Sequence, residues 1–213
     1  MLLEDAPVGT KERREREKQE RRRQILDSAR KLFWENGFSK TTMPDIAAEA
    51  ELAPGTLYLY FPSKDALYTE LLVDGYAPLI KALRTAANME GTPREQAGAL
   101  LDAFIDFARR SPEYFDIIFF VLQRESSGPR DAIWNREQLD RLVAQEDICK
   151  DIAATVFRKF TPRAPDFEVR QSVNALWSML AGVVFFWRRE DAETFDQIAA
   201  SARQIILDSL PGG

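Results

Sequence analysis

Thr42–Phe61 reads TMPDIAAEAELAPGTLYLYF, and its punctuation decides the fold. Thr42 and Asp45 stand three apart, the spacing at which a hydroxyl and a carboxylate each satisfy an orphan amide at a helix start. Pro44 falls where a first turn leaves its N–H groups unbonded anyway. The spacing predicts a short helix ending near Ala50, a tight turn at Glu51-Leu52-Ala53, and a second short helix that opens on Pro54-Gly55-Thr56 and stops before Pro62. Tyr58, Tyr60 and Phe61 crowd onto that second helix and its end. Three aromatics at this spacing are either core or the outer face of something that reads another molecule.

Outward from this stretch the pattern stays helical. Ile25, Leu26, Ala29, Leu32 and Phe33 form one apolar stripe, closed by a left-handed cap at Asn36-Gly37. Ser63 caps a fourth helix carrying Leu67, Leu71 and Leu72, in which Pro78 predicts a kink or break around Gly75–Pro78 and Gly91 marks the close. Thr92-Pro93-Arg94-Glu95 is a further helix start with a Pro at its first position. Ser111-Pro112-Glu113 opens another, Ser126–Pro129 reads as a loop, and a helical pattern covers roughly 131–160. Asp166 and Thr194 are the expected caps of the last two helices. No strand alternation or internal repeat stands out, so the expected fold is all-α with about nine helices.

Composition removes several chemistries. The 213 residues contain no histidine and one cysteine, Cys149, which excludes Cys/His zinc sites, the commonest general base and any disulfide within the chain. No metal or cofactor is expected. The longest uncharged run, Gln171–Trp187, is shorter than a membrane span and holds four polar residues. No leader is visible at the acidic start, and the expectation is a cytoplasmic protein without a membrane partner. Residues 1–64 carry 12 basic and 11 acidic side chains against 17 and 23 in the remainder, so an acidic chain has one relatively basic end. Lys11–Arg23 alone holds eight bases and four acids. Such a segment is either a local nucleic-acid surface or a solvated helix face of mixed charge.

Two short helices joined by a three-residue turn match the helix-turn-helix unit, whose second helix enters the major groove of DNA. Gly55 and Thr56 bring backbone amides to the start of that helix. Tyr58 and Tyr60 offer hydroxyls to phosphates and rings to sugars or a thymine methyl. Lys64 offers a further phosphate contact, and Thr42 combines a cap with a phosphate contact. Arg21–Arg23 reach either the DNA backbone or solvent. Phe33, Phe38, Ile46, Leu57 and Phe61 read as core, because helical spacing already explains them.

The order Phe33-x-x-x-Gly37-Phe38, Thr41-Thr42, Ile46-Ala47, Ala50, Gly55-Thr56-Leu57-Tyr58, Tyr60-Phe61, Ser63-Lys64 closely resembles the DNA-binding region of the TetR family of transcriptional repressors, over about residues 20–70. The resemblance implies an all-helical homodimer on a palindromic double-stranded DNA operator, released by a small-molecule effector. It implies a charged extension over 1–19, a three-helix DNA-binding domain over 20–66, and a larger ligand-binding and dimerisation domain over 67–213. Thr42, Gly55, Thr56, Tyr58, Leu59, Tyr60 and Lys64 are the expected DNA contacts. Leu59 and Pro54 stand where the family often carries polar residues, which leaves Leu59 an apolar contact.

The C-terminal part has no motif of its own. Phe104, Phe107, Phe115, Phe119, Trp134, Phe157 and Trp177 are candidate lining for an apolar or aromatic effector, although most large aromatics in such a domain are core. Val173, Trp177, Leu180 and Val184 on one helix, with Ile198, Ala202 and Ile205 on the next, are candidates for a twofold four-helix interface; the alternative is that these stripes cover the core of one chain. Two other readings stay open. One is a regulator controlled by a protein partner. The other is an enzyme using Asp102 and Asp106, four apart on one helix, although no histidine, phosphate loop or metal spacing supports it, and no catalytic residue is expected.

Overall fold

A computed structural model describes residues 10–112, 114–115, 136–187 and 189–211. Eight helices run through the described residues: α1 (Thr10–Asn36), α2 (Met43–Glu49), α3 (Pro54–Tyr60), α4 (Lys64–Ala87), α5 (Pro93–Arg110), α6 (Arg136–Phe157), α7 (Asp166–Trp187) and α8 (Ala192–Ser209). The expected all-α fold is what is found. The 126–129 loop, Phe119, Phe120 and Trp134 lie outside the described residues. The chain divides into two compact units, Met1–Leu71 and Leu72–Gly213, with the division inside α4.

In the first unit the apolar stripe of α1 (Ile25, Leu26, Ala29, Phe33) is buried, as are Met43, Ile46 and Ala47 of α2, Leu57 of α3, and Leu67 and Leu71 of α4. Gly37 ends α1 with a φ of 82°, a conformation that costs glycine least. Thr41 is buried, its hydroxyl proton shared between the carbonyls of Leu32 (3.1 Å) and Gly37 (3.0 Å). Phe33, Phe38 and Tyr68 pack against one another in tilted and edge-on pairs with ring centroids 4.6–5.5 Å apart. Burial pushes the Tyr68 phenol far up, so it stays protonated.

The second unit holds the rest of α4 and α5–α8. Its core gathers Tyr76, Leu79 and Leu83 of α4 with Leu100, Leu101 and Phe104 of α5. Cys149 and Val156 of α6, Leu180 and Val184 of α7, and Phe195 and Ile206 of α8 complete it. Burial, followed by the Glu146 charge, pushes the Cys149 thiol up to about 12, so it behaves as a small apolar side chain. Gln96, also buried, donates to the Met89 carbonyl at 2.8 Å and accepts from Lys159 at 2.6 Å, tying the start of α5 to the turn after α6.

Three local expectations are corrected. α4 runs unbroken through Pro78; the small residue upstream serves packing, because a Cβ on Gly75 would lie 2.3 Å from the Tyr114 ring. The cap of α8 is Asp191, which accepts from the Thr194 amide at 2.9 Å and from its hydroxyl at 2.7 Å. Asp166 is the first residue of α7, not its cap, and its carboxylate is paired with Arg158.

Candidate nucleic-acid interface

The helix pair is built by capping at its front and by side chains of α1 behind. The Asp45 amide donates to Thr42 Oγ1 at 3.3 Å, while the Thr42 amide and hydroxyl donate to Asp45 Oδ2 at 2.9 and 2.6 Å. These bonds hold the Asp45 carboxyl below its ordinary range. The Thr42 hydroxyl proton is therefore spent within the cap. From α1, Gln24 donates to the Ala50 carbonyl at 3.0 Å and Lys31 to Glu49 at 2.7 Å. The turn, four residues from Ala50 to Ala53, closes through a left-handed Glu51, φ 55°, and a Leu52 amide donating to Ala47 O at 2.8 Å. Glu51 adopts this strained conformation without being glycine, which the residue pattern does not announce.

α3 is held by Leu57, fully buried, and by Phe61 at its end, over whose ring the Arg22 guanidinium sits at 4.6 Å. Arg22 is itself paired with Glu70 at 2.6 Å. The opposite side of α3 is uncovered: Leu59 is 84% exposed and Tyr58 48%. Gly55 is exposed and a Cβ there would meet nothing within 4 Å, so the chain itself makes no demand for glycine at this position. Thr56 and Tyr60 are half-buried, and the Thr56 amide is taken by the Ala53 carbonyl at 2.9 Å.

Lys64 is placed differently from its expected role. Its ammonium donates to the carbonyls of Phe38 (2.8 Å) and Thr41 (3.0 Å) and lies 4.2 Å from the centre of the Phe38 ring. It fastens the loop that leads into the α2 cap instead of standing free for a phosphate. Lys40 is exposed in that same loop. Replacing Lys64 by methionine keeps the stem and removes both donors. The expected result is a loss of about 2 kcal/mol in urea unfolding, in line with hydrogen bonds from a charged donor. Unchanged stability with a weaker, less salt-dependent DNA complex would return Lys64 to the phosphate role.

In the second unit Phe104, Phe107, Phe115 and Phe157 are all buried. Phe104 meets Phe115 and the half-buried Trp177 edge-on at 5.9 and 4.8 Å. At the edge of this cluster Glu146 and Lys150 form a shielded ion pair at 2.5 Å, with the Lys150 ammonium 6.0 Å from the Trp177 ring centre. A groove of about 670 Å³ lies between α4 and α5, and of the aromatic candidates among the described residues only Phe107 lines it, beside Pro78, Met89, Lys81 and Arg110. Asp102 is held by Arg203 at 2.6 and 3.0 Å, and Asp106 lies beside Arg109 and Arg110. The two carboxylates are thus engaged separately by guanidinium groups.

The stripe Val173, Leu180 and Val184 is turned into the core of its own chain, with Trp177 against Phe104. What remains uncovered is the other side of α7 and α8. Phe186 is 71% exposed and Ile205 63%, Met179 is also exposed, and Ile198 and Ala202 are half-buried. A Cβ at Gly182 would meet nothing within 4 Å. Among the described residues no helix is long and apolar enough to cross a membrane.

Residues 25–71 match the model of the bacterial regulatory proteins of the tetR family. The chain is 31% identical over 117 residues to the HTH-type transcriptional activator FasR of Mycolicibacterium smegmatis, covering 54% of this chain and 53% of that protein. It is 29% identical over 111 residues to the HTH-type transcriptional repressor KstR of the same organism, covering 52% of each. The chain spans about half, or less, of the length of the curated relatives it matches. A solved transcriptional regulator of the TetR/AcrR family from Thermobifida fusca shares the fold, with a TM-score of 0.71 at 18% identity over 89% of this chain and 98% of that one. With its capped first helix, its tight turn and this match, the stretch 25–71 of the chain is similar to the tetR family of bacterial regulatory proteins.

Proposed function

We propose that the protein is a ligand-responsive transcriptional repressor that binds a palindromic DNA operator as a homodimer and leaves it when a small apolar or aromatic effector enters the second unit. The observation that carries the DNA reading is the uncovered side of α3. A helix anchored by Leu57 and Phe61 presents Tyr58 and Leu59 outward, with a glycine whose missing side chain serves no internal contact. Such a surface fits a duplex groove, where rings and apolar groups meet sugars and thymine methyls and a bare backbone approaches closely.

The large apolar side chains exposed on α7 and α8, Met179, Phe186 and Ile205, support pairing through these two helices, since apolar groups left open to water mark interaction surfaces. A twofold pair would place two α3 helices about 34–36 Å apart, one turn of duplex. The groove between α4 and α5, lined by Pro78, Ala82, Ala86, Met89 and Phe107, supports an effector with an apolar or aromatic body. Such a molecule releases DNA only by binding the two spacings with different affinity.

The test is selection of bound duplexes from a random library by the full chain, followed by mass measurement of the complex and a reporter driven from the selected sequence. The expected result is an inverted-repeat sequence, two chains per duplex and lowered reporter output. Failure to enrich any duplex ends the DNA reading, a one-chain complex ends the dimer, and raised output makes the protein an activator, as the FasR relative is named.

A further inference from the structure

α1 is far longer than its packing requires. It spans 27 residues, about 40 Å at 1.5 Å per residue, yet every residue from Lys11 to Arg21 is exposed, and its buried positions begin at Ile25. At about 100° per residue, Lys11, Arg14, Lys18 and Arg22 fall on the same side of the helix as Ile25, Ala29 and Phe33. The inward side is apolar where the helix lies on its own unit and becomes cationic where it runs past it. Arg22 marks the changeover, half-buried between Glu70 and the Phe61 ring at the end of α3. Lys11, Arg14 and Lys18 take no ion-pair partner among the described residues. Glu17 lies on the far side and is engaged by Arg13 at 3.5 Å, while Glu15, at the margin, accepts from Gln19 at 2.9 Å.

We propose that this cationic stripe is a second nucleic-acid contact, in which Lys11, Arg14 and Lys18 follow the phosphate backbone of the duplex beyond the segment met by α3. The proposal rests on the DNA reading above. Three things argue for duplex DNA as the occupant. The stripe opposes a polyanion in charge. It starts against the residue that closes α3. From Arg22 to Lys11 it runs about 16 Å, or about five steps of 3.4 Å along one strand. An apolar protein surface cannot be the missing counterpart, because it would bury this stripe of cations without partners.

The experiment uses the full chain and a 30-base-pair duplex of mixed sequence, with fluorescence anisotropy between 50 and 200 mM KCl. One variant carries K11Q, R14Q and K18Q; a control of equal charge carries R13Q, R16Q and R23Q on the far side of the helix. Glutamine keeps helix propensity close to that of lysine and arginine, and circular dichroism checks it. The expected result is that the stripe variant lowers the slope of log K against log salt by about 2.7, with a loss on the order of a hundredfold near 0.1 M, and the control changes both far less. Equal losses in the two variants would show a general field with no contact, and overturn the proposal. An unchanged slope in the stripe variant, with binding still abolished by Leu59→Glu, overturns the proposal alone. No binding by the unmodified chain to any duplex overturns the DNA reading with it. Binding to vesicles containing an anionic phospholipid, lost in the stripe variant while its DNA slope stays intact, assigns the stripe to membranes and overturns it too.

Discussion

Leu59→Glu is expected to abolish duplex binding while leaving the folded protein as stable as before. Leu59 is the most exposed large apolar side chain among the described residues, 84% open on α3. Replacing it removes no packed contact, so the thermal midpoint should be unchanged and the circular dichroism superimposable. In the complex the new carboxylate would face phosphates across a groove, and a like-charge approach of this kind costs several kcal/mol, or roughly a hundredfold or more in affinity. Leu59→Ala on the same scale should lose only an apolar contact, about tenfold or less. The pair is measured by anisotropy on the selected duplex. A glutamate variant that binds normally would mean that α3 does not enter the groove, and the functional assignment would fall.

The second large effect concerns stability. Phe104→Ala should destabilise the second unit by about 3–5 kcal/mol, the usual cost of deleting a buried phenyl ring. Phe104 is buried, meets Phe115 and Trp177 edge-on, and lies in a core that includes Leu100, Leu101 and Val184. Urea unfolding is followed by circular dichroism, with tryptophan fluorescence of a variant carrying W34F, W134F and W187F reporting on Trp177. A loss under 1 kcal/mol would indicate that the ring borders open space, and would favour its reading as effector lining over its reading as core.

Much of the first unit was legible because its signals are local. The Thr42–Asp45 box, Gly37 after Asn36, and the prolines at 54 and 62 each act within a few residues, and the helices stop and start where they say. Lys64 was not legible, since its two carbonyl partners lie 26 and 23 residues upstream and no nearby residue marks them. The α8 start was ambiguous for a chemical reason: Asp191 and Thr194, three apart, are both competent caps, and the acid took the role. The facing of α7 was undecidable from periodicity, because apolar residues occupy both sides. Only packing shows that Val173, Leu180 and Val184 point inward and Met179 and Phe186 outward. Effector chemistry was least legible, since aromatic rings that fill a core and rings that line a cavity have the same spacing.

The capture of the Lys64 ammonium by Phe38 and Thr41 has a wider consequence. From Pro54 to Tyr60 α3 carries no ionic group, and the nearest lysine downstream is occupied with its own fold. On the proposed reading, finding the duplex and choosing a place on it fall to separate parts of the chain. Ions in the medium would then set how quickly the protein searches, while its preference among sequences, carried by uncharged side chains, stays the same.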